Sequence, residues 1–406
     1  MPLLNQINFA YRIPPAAAPI YLRDLGGGVA GLRKDSACLA RLQQSLKSHF
    51  ASKFIELVSS GRAALMLILT ALHSLAPERR QVIIPAFTCW TVPAAVVRAG
   101  LQPVPCDLAV NTFDYDFTKL PGLLGADTLS VVAQHLYGVP AHIDRLQQML
   151  AGTGIFLVDD AAQAMGAKLA GKWLGTCGDA GLFSLGRGKN FSTGSGGVIL
   201  TNNDLIAQAL SKVCGKLKRY DLRHQSLQLL KAGLLALFIH PWVYGVPAHL
   251  PGLKLGQTIF DPGFPMALMS GVQAGLAQDW IAKLETFSWA RRANAMHFLE
   301  VLKKLPRAVS PVDSTSAGNG PRLPIFISDE QAKRALLAAS SHQGLGISLT
   351  YPDAVDGIPF FRGAPWYGAC PQARKIAREI VTLPIHPLLT DRDLERLKSV
   401  LHGYLR

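Results

Sequence analysis

One lysine stands out for the company it keeps. In "DAGLFSLGRGKNFSTGSGGVILTNND" (residues 179–204), Lys189 follows a strand-like run and lies between Gly186, Gly188, Gly194, Gly196 and Gly197. Lysine ordinarily occupies solvated faces, and glycine weakens strands and helices unless the backbone must bend or let something approach. A lysine in such a loop is a phosphate ligand or a nucleophilic amine. Three neighbouring features narrow the choice. "SSGRAAL" (59–65) sets small residues at a strand-to-helix turn, where free N–H groups and the positive end of the helix dipole form an anion site. By itself that turn is better explained by an ordinary Ser60–Gly61 cap. "VDDAAQA" (158–164) ends a strand with two carboxylates. The apolar run before them and the Ala-Ala after them imply that at least one is withdrawn from water and needs a partner. Ser184 and Lys189 flank a glycine-bearing turn.

An anion cradle, a withdrawn carboxylate and a loop lysine together suit pyridoxal 5′-phosphate. The lysine bonds to its aldehyde carbon, the carboxylate keeps the pyridine nitrogen protonated, and N–H and hydroxyl groups hold its phosphate. The competing phosphate loop, GxxxxGK[ST], is absent, and no GxGxxG follows the first strands.

These residues need a scaffold that gathers strand ends. The chain alternates strand-like and helical stretches: a helix at 39–50, then strand, turn and helix over 54–72, and strand, loop and helix over 81–100. Further strands follow at "QPVPCDL", "LSVVAQHLYG" (129–138), "GIFLVDDAAQAMGA" (154–167, with a helix starting after the strand), "AGLFSLG" (180–186) and "GGVILT" (196–201). Such alternation predicts an α/β fold with a mostly parallel central sheet covered by helices on both faces, and ligands beyond the carboxyl ends of its strands. Residues 269–305 read as one long helical pattern, and the tail as a smaller α/β unit ending in the helix "DRDLERLKSVLHGYL". The expected division is an extended, Pro-rich arm over 1–30, a large domain over 31–268 and a small domain over 269–406.

Composition sets further limits. Of 406 residues, 49% are hydrophobic and 17% charged, which fits a well-buried enzyme and argues against disorder. The formal net charge of +14 suits anionic substrates. The cations are scattered, apart from "KLKRYDLRH" (216–224), without interleaved aromatics, so nucleic-acid binding is not expected. Six cysteines without a CxxC pair suggest neither a metal site nor a disulfide framework, and point to the cytoplasm. The N-terminus lacks the pattern of a signal peptide. Residues 229–253 are very apolar but broken by Lys231, Pro241, Pro247 and Pro251. A buried helix and loop, at a subunit interface or within the core, is the favoured expectation there, with an interfacial membrane contact the less favoured one.

The motifs also stand in a familiar order. "SSGRAAL", "PAFTCWT", "HLYG" (135–138), "DDAAQ", "GDAGLFSLGRGKNFSTGSGG", "MSGVQAGLAQ" and "CPQARKIAREIVTLPIHPLLTDRDLERL" resemble those of the DegT/DnrJ/StrS family of pyridoxal-phosphate-dependent sugar aminotransferases, a branch of the fold-type-I transferases, from about residue 39 to the C-terminus. The resemblance implies that Lys189 is the Schiff-base lysine and proton shuttle, and that Asp160 pairs with the pyridine nitrogen. It implies Gln163 near the ring hydroxyl, Ser184 on the phosphate, and Ser60, Gly61 and Arg62 at the anion site. Cys89 stands where the family usually has an aromatic that stacks on the ring, with Trp90 beside it; either could cover the cofactor. Arg62 replaces the usual Thr, Ser195 the usual Glu, and residues 215–265 follow the family loosely. The resemblance further implies a homodimer with shared active sites, an amino-acid donor (typically glutamate) and a keto-sugar acceptor, nucleotide-linked and serving surface-polysaccharide or amino-sugar synthesis. The alternatives are a catalytically divergent cofactor-binding regulator or scaffold, and sugar dehydration. The family's lysine-free dehydratases carry His in place of the lysine, so Lys189 argues against them.

Overall fold

The computed structural model describes residues 11–249 and 258–406. The chain opens with α1 (Leu22–Arg33), α2 (Asp35–Phe50), β1 (Phe54–Val58), α3 (Gly61–Leu75), β2 (Gln81–Pro85), α4 (Thr91–Arg98) and β3 (Gln102–Cys106). Next come β4 (Thr128–Gln134), α5 (Ile143–Leu150), β5 (Phe156–Asp160), a small hairpin of β6 (Lys168–Leu169) and β7 (Lys172–Trp173), and then β8 (Ala180–Ser184) and β9 (Gly197–Thr201). Three helices follow: α6 (Asp204–Cys214), α7 (Leu222–Phe238) and α8 (Gly245–His249). The remainder holds α9 (Gly271–Leu276), α10 (Trp280–Leu302), β10 (Arg322–Phe326), α11 (Glu330–Gln343), α12 (Pro371–Glu379), β11 (Ile380–Pro384) and α13 (Asp391–Leu405).

Seven strands form one sheet in the order β1-β9-β8-β5-β4-β2-β3. The pairs from β8 through β3 are parallel, and β9 runs antiparallel to both its neighbours. Every residue of β4, β8 and β9 is buried, as a sheet covered on both faces requires. On one face α3, α4 and α6 contribute Leu65, Leu69, Val96 and Leu210 to the largest core cluster. On the other, Leu42, Leu46 and Phe50 of α2 pack with Phe183 and Trp280. A second core unites the antiparallel β10–β11 ribbon with α10, α11 and α13 through Leu302, Leu336, Leu397 and Leu401.

Four local expectations change. No helix follows β5: residues 162–166 turn, with Gly166 at φ +86°, and lead into the β6–β7 hairpin. The long pattern over 269–305 is two helices, interrupted between Leu276 and Trp280. Helix α7 is not buried; Ala232 is its one buried residue. The end of the 229–253 segment, and residues 1–10 of the arm, lie outside the described residues.

The fourth change concerns the rest of the arm, which is neither free nor wholly extended. Residues 11–20 run extended but largely buried: Ile13 N–H donates to the Gly344 carbonyl (2.8 Å) and Arg12 N–H to that of Pro241 (2.9 Å). Residues 22–33 form α1, whose glycines have a purpose. A Cβ on Gly27 would fall 2.3 Å from the Gly275 carbonyl oxygen, one on Gly31 2.0 Å from that of Gly271, and one on Gly275 2.0 Å from that of Gly27. Helices α1 and α9 therefore touch backbone to backbone through paired GxxxG spacings. The buried Lys283–Asp24 ion pair closes the same contact.

Two measurements check this anchoring. Gly31→Leu forces the helices apart and should cost about 3 kcal/mol in urea unfolding. Gly26→Ala in the same helix meets open space and should gain about 0.5–1 kcal/mol. The second concerns His386, whose buried Nε2–H donates to the Pro14 carbonyl (2.8 Å) while its Nδ1 accepts from Leu388 N–H (3.3 Å). Burial pushes this imidazole down from 6.5 to about 4. The unfolded chain binds the proton first, so this stabilisation is complete above pH 6.5 and is lost as pH falls towards 4. Unfolding free energies at pH 7.5 and 4.5 should show a decline that His386→Asn makes shallower.

Candidate active site

The parallel strands deliver their side chains to one edge of the sheet. Asp159 and Asp160 close β5, and strand alternation sends them to opposite faces. Asp159, fully buried, accepts from His135 Nε2 (2.7 Å), Gly175 N–H (2.8 Å) and Cys177 N–H (2.8 Å). His135 Nδ1 accepts from Ala141 N–H (3.0 Å), which fixes the proton on Nε2. This acid ties the end of β4 to the turn after β7. Asp160 lies opposite Gln134 in the β4–β5 register and accepts from its Nε2 (3.1 Å) and from Ala162 N–H (3.0 Å). Burial raises its carboxyl above the ordinary range, opposed by the Ala162 bond and by the positive charge of Lys189.

Lys189 sits half-buried in the loop leaving β8. The loop's backbone is held on several sides. Lys189 N–H donates to Gly186 (3.3 Å), its carbonyl accepts from Arg291 Nη2 (3.3 Å), and Asn190 Nδ2 donates to the Met165 carbonyl (3.3 Å) and that of Asn319. Further along, Gln273 Nε2 holds both the carbonyl (2.8 Å) and the hydroxyl (2.9 Å) of Ser195. Among the described residues no hydrogen-bond partner meets the Lys189 ammonium, whose electrostatic partner is Asp160. The result is a fixed backbone presenting a free amine.

At the other end of the pocket, Ser60 caps α3 by accepting from Ala63 N–H (3.2 Å). A Cβ on Gly61 would lie 2.7 Å from the Ser184 Cβ and 2.9 Å from its Oγ. The helix N-terminus and the Ser184 hydroxyl thus converge, and only glycine permits it. The Arg62 side chain goes elsewhere: its guanidinium stacks 5.0 Å from the Phe264 ring, opposite Arg98, and lies 3.9 Å from Asp261. The structure also separates Cys89 from Trp90. Trp90 packs on the core beneath α3 and donates to the Asp353 carbonyl (3.0 Å), whereas Cys89 packs with Phe87, Tyr137 and Tyr351. Gln163 is engaged at both ends, accepting from Tyr137 N–H (3.2 Å) and donating to Tyr351 Oη (2.8 Å).

Several contributors escaped the sequence analysis. Gln134, His135, Tyr137, Gln273, Arg291 and Tyr351 had no assigned role, although "HLYG" contains or adjoins three of them and "MSGVQAGLAQ" contains Gln273. Tyr137 holds φ at 54°, costly for an aromatic residue, and its hydroxyl meets Thr350. Gln273 is the most instructive, because its side-chain amide holds both the carbonyl and the hydroxyl of Ser195, the residue that departs from the family pattern.

A fixed loop amine, a buried carboxylate and a glycine-lined helix N-terminus, gathered at the carboxyl edge of a mostly parallel sheet, define a fold-type-I pyridoxal-phosphate enzyme. The DegT/DnrJ/EryC1/StrS aminotransferase family model matches residues 37–402, and the chain belongs to that family. It is 28% identical over 334 residues to the dTDP-3-amino-3,4,6-trideoxy-alpha-D-glucose transaminase of Streptomyces venezuelae, which covers 82% of this chain and 78% of that one. In structure it is similar to the Helicobacter pylori aminotransferase PseC, involved in the biosynthesis of pseudoaminic acid (TM-score 0.78, 14% identity, 97% of this chain and 99% of that one). It is also similar to the E coli GDP-4-keto-6-deoxy-D-mannose-3-dehydratase with bound hydrated PLP (TM-score 0.74, 19% identity, 96% and 99%). The protein is a pyridoxal-phosphate-dependent sugar aminotransferase. Its residues fit that cofactor. Asp160 is buried with lone pairs to spare, and the wholly buried Thr88 Oγ has no hydrogen-bond partner among the described residues.

The two acids of β5 make different demands. Asp159→Ala would strand three donors and should cost about 3 kcal/mol or more in denaturant unfolding. Asp160→Asn, by contrast, keeps the Ala162 bond at Oδ1. With the Gln134 amide turned to accept from the new Nδ2 at its Oε1, unpartnered among the described residues, it keeps the Gln134 bond as well and should leave the midpoint nearly unchanged.

Proposed function

We propose that the enzyme moves an amino group from an amino-acid donor, glutamate in the simplest case, to a nucleotide-linked keto-sugar. Lys189 and Asp160 carry the chemistry. The observation that supports this most is a loop lysine, Lys189, with no hydrogen-bond partner for its amine among the described residues, whose charge reaches the buried Asp160 carboxyl at the sheet edge. When bound, the cofactor supplies an electron sink for the carbanion formed at the donor α-carbon. Asp160 keeps the ring nitrogen protonated, a charge pairing strengthened by the dry surroundings. A positive ring nitrogen beside it would oppose the upward push that burial gives the Asp160 carboxyl. Lys189 Nζ holds the cofactor between turnovers. Its amine, once free, would take up and return the α-proton. Because its backbone is fixed on both sides, that delivery requires little movement beyond the side chain.

Ser184 and the α3 N–H groups at Gly61 and Arg62 would hold the phosphate, with the Arg62 backbone rather than its guanidinium taking part. Cys89 would lie nearer the ring than Trp90, and Gln163 would act through Tyr137 and Tyr351. The same proposal includes a homodimer, a cytoplasmic location and the division into an arm over 1–30, a large domain over 31–268 and a small domain over 269–406. No described helix is long and apolar enough to cross a membrane.

Two variants test the assignment. Lys189→Ala should lose transamination and the visible band of the lysine-linked cofactor; retained activity refutes it. Asp160→Asn should keep that band but lower kcat at least about 100-fold, and an unchanged rate would remove Asp160 from the mechanism.

A further inference from the structure

Helix α7 shows the largest departure from a well-packed surface. Its inner side meets α1 and α9 through Ala232, Leu229, Leu235 and Ala236. Its outer side carries Leu227, Leu230, Leu234 and Leu237, which are 45%, 58%, 47% and 57% exposed. At 100° per residue these four fall within about 80° of one another, a continuous leucine stripe with no covering element among the described residues. Trp242, four residues past the helix, is 74% exposed. Contiguous apolar surface of this kind marks an interaction site.

The charge around the stripe limits what can cover it. Between residues 205 and 249 the sequence holds Lys212, Lys216, Lys218, Arg219, Arg223 and Lys231, all exposed, against a single acid of that stretch, Asp221; of the six, Arg219 is paired with Asp35 of α2 (2.9 Å). Asp221 is occupied as the cap of α7, accepting from His224 N–H (2.8 Å). Arg223 stands one turn before Leu227 on the same side of the helix, and Lys231 follows Leu230 at the stripe's margin. A second copy placed on this stripe would bring the same basic surround against this one, a like-charge contact that the one capping Asp221 of each copy does not balance. An anionic bilayer surface complements both features. Leucines and an exposed tryptophan enter the interface while flanking lysine and arginine stems reach back to the headgroups.

We propose that α7, with the basic segment leading into it, docks the enzyme peripherally on membranes rich in anionic phospholipid. The helix lies in the interface plane and does not cross it. This goes beyond the transamination proposal and does not depend on it, since α7 contributes no residue to the site described.

The test is co-sedimentation of the full-length, cofactor-loaded enzyme with vesicles of phosphatidylcholine alone and of phosphatidylcholine mixed with phosphatidylglycerol. Binding to the mixed vesicles should exceed that to the neutral ones at least about tenfold and weaken as salt rises. Leu230→Glu/Leu234→Glu and Lys216→Glu/Lys218→Glu should each abolish the difference while leaving transaminase activity unchanged. Equal sedimentation with both vesicle types, or binding that survives both double variants, overturns the proposal. So does failure to bind vesicles combined with a change of mass in light scattering for the leucine variant, which would assign the stripe to contact between copies of the chain.

Discussion

Everything in this site follows from the alternation of a single strand. Two adjacent acids at the end of β5 cannot share a face, so Asp159 turns towards the His135 imidazole and two backbone N–H groups while Asp160 turns the other way, to Gln134 and Ala162 and within the field of Lys189. One carboxylate is thereby spent on structure, saturated with donors and wholly buried. The other keeps acceptor capacity because only Gln134 and Ala162 reach it. A slip of one residue in the β4–β5 register would exchange them, placing the saturated acid against the lysine. The Gln134–Asp160 pairing across that register is thus as much a part of the proposed chemistry as the acid itself.

The amine is governed by a different kind of constraint. Its loop is bound by groups from remote parts of the chain: Arg291 from α10, Asn319 from the connection before β10, and Gln273 from α9 acting on Ser195. Arg291 is completely buried with no acidic partner among the described residues, and burial pushes its guanidinium down to about 9. A buried cation beside the Lys189 carbonyl is costly to maintain, and it bears directly on the segment that positions the amine.

How much of this the sequence disclosed depended on distance along the chain. Lys189, Asp160, Ser184 and Gly61 were legible because each directly follows an apolar strand, and strand ends in such sheets gather at one edge. Gln273 and Tyr351 were not, since their partners Ser195 and Gln163 lie 78 and 188 residues away, and no local pattern encodes such a pairing. Helix α1 was hidden for the opposite reason. Its "LGGGVAGL" has poor intrinsic helix propensity, which tertiary contact with α9 overrides. The turns after β5 deceived in the same way, an Ala-rich stretch bent by the N–H groups that Asp159 gathers from Gly175 and Cys177. The side chains of Arg62 and Trp90 could be placed only once Phe264 and the Asp353 carbonyl were seen beside them.

The seam between α1 and α9 also sets an order of events. Its two strips of glycine belong to segments far apart in sequence; Arg23 and Gln278, which meet at its edge, are separated by 255 residues. During synthesis the N-terminal segment leaves the ribosome first, yet the surface it must touch is made only after the whole seven-stranded sheet has emerged. Contacts of such long range form late because closing the loop must precede any gain from the contact. Until then α1 is a glycine-rich stretch with little reason to be helical. Docking of this segment, with the run of residues 11–20 ahead of it, is thus a final step that fastens the two cores together. The unfinished chain carries a folded sheet without its clasp, and it is at this stage that chaperones have most to protect.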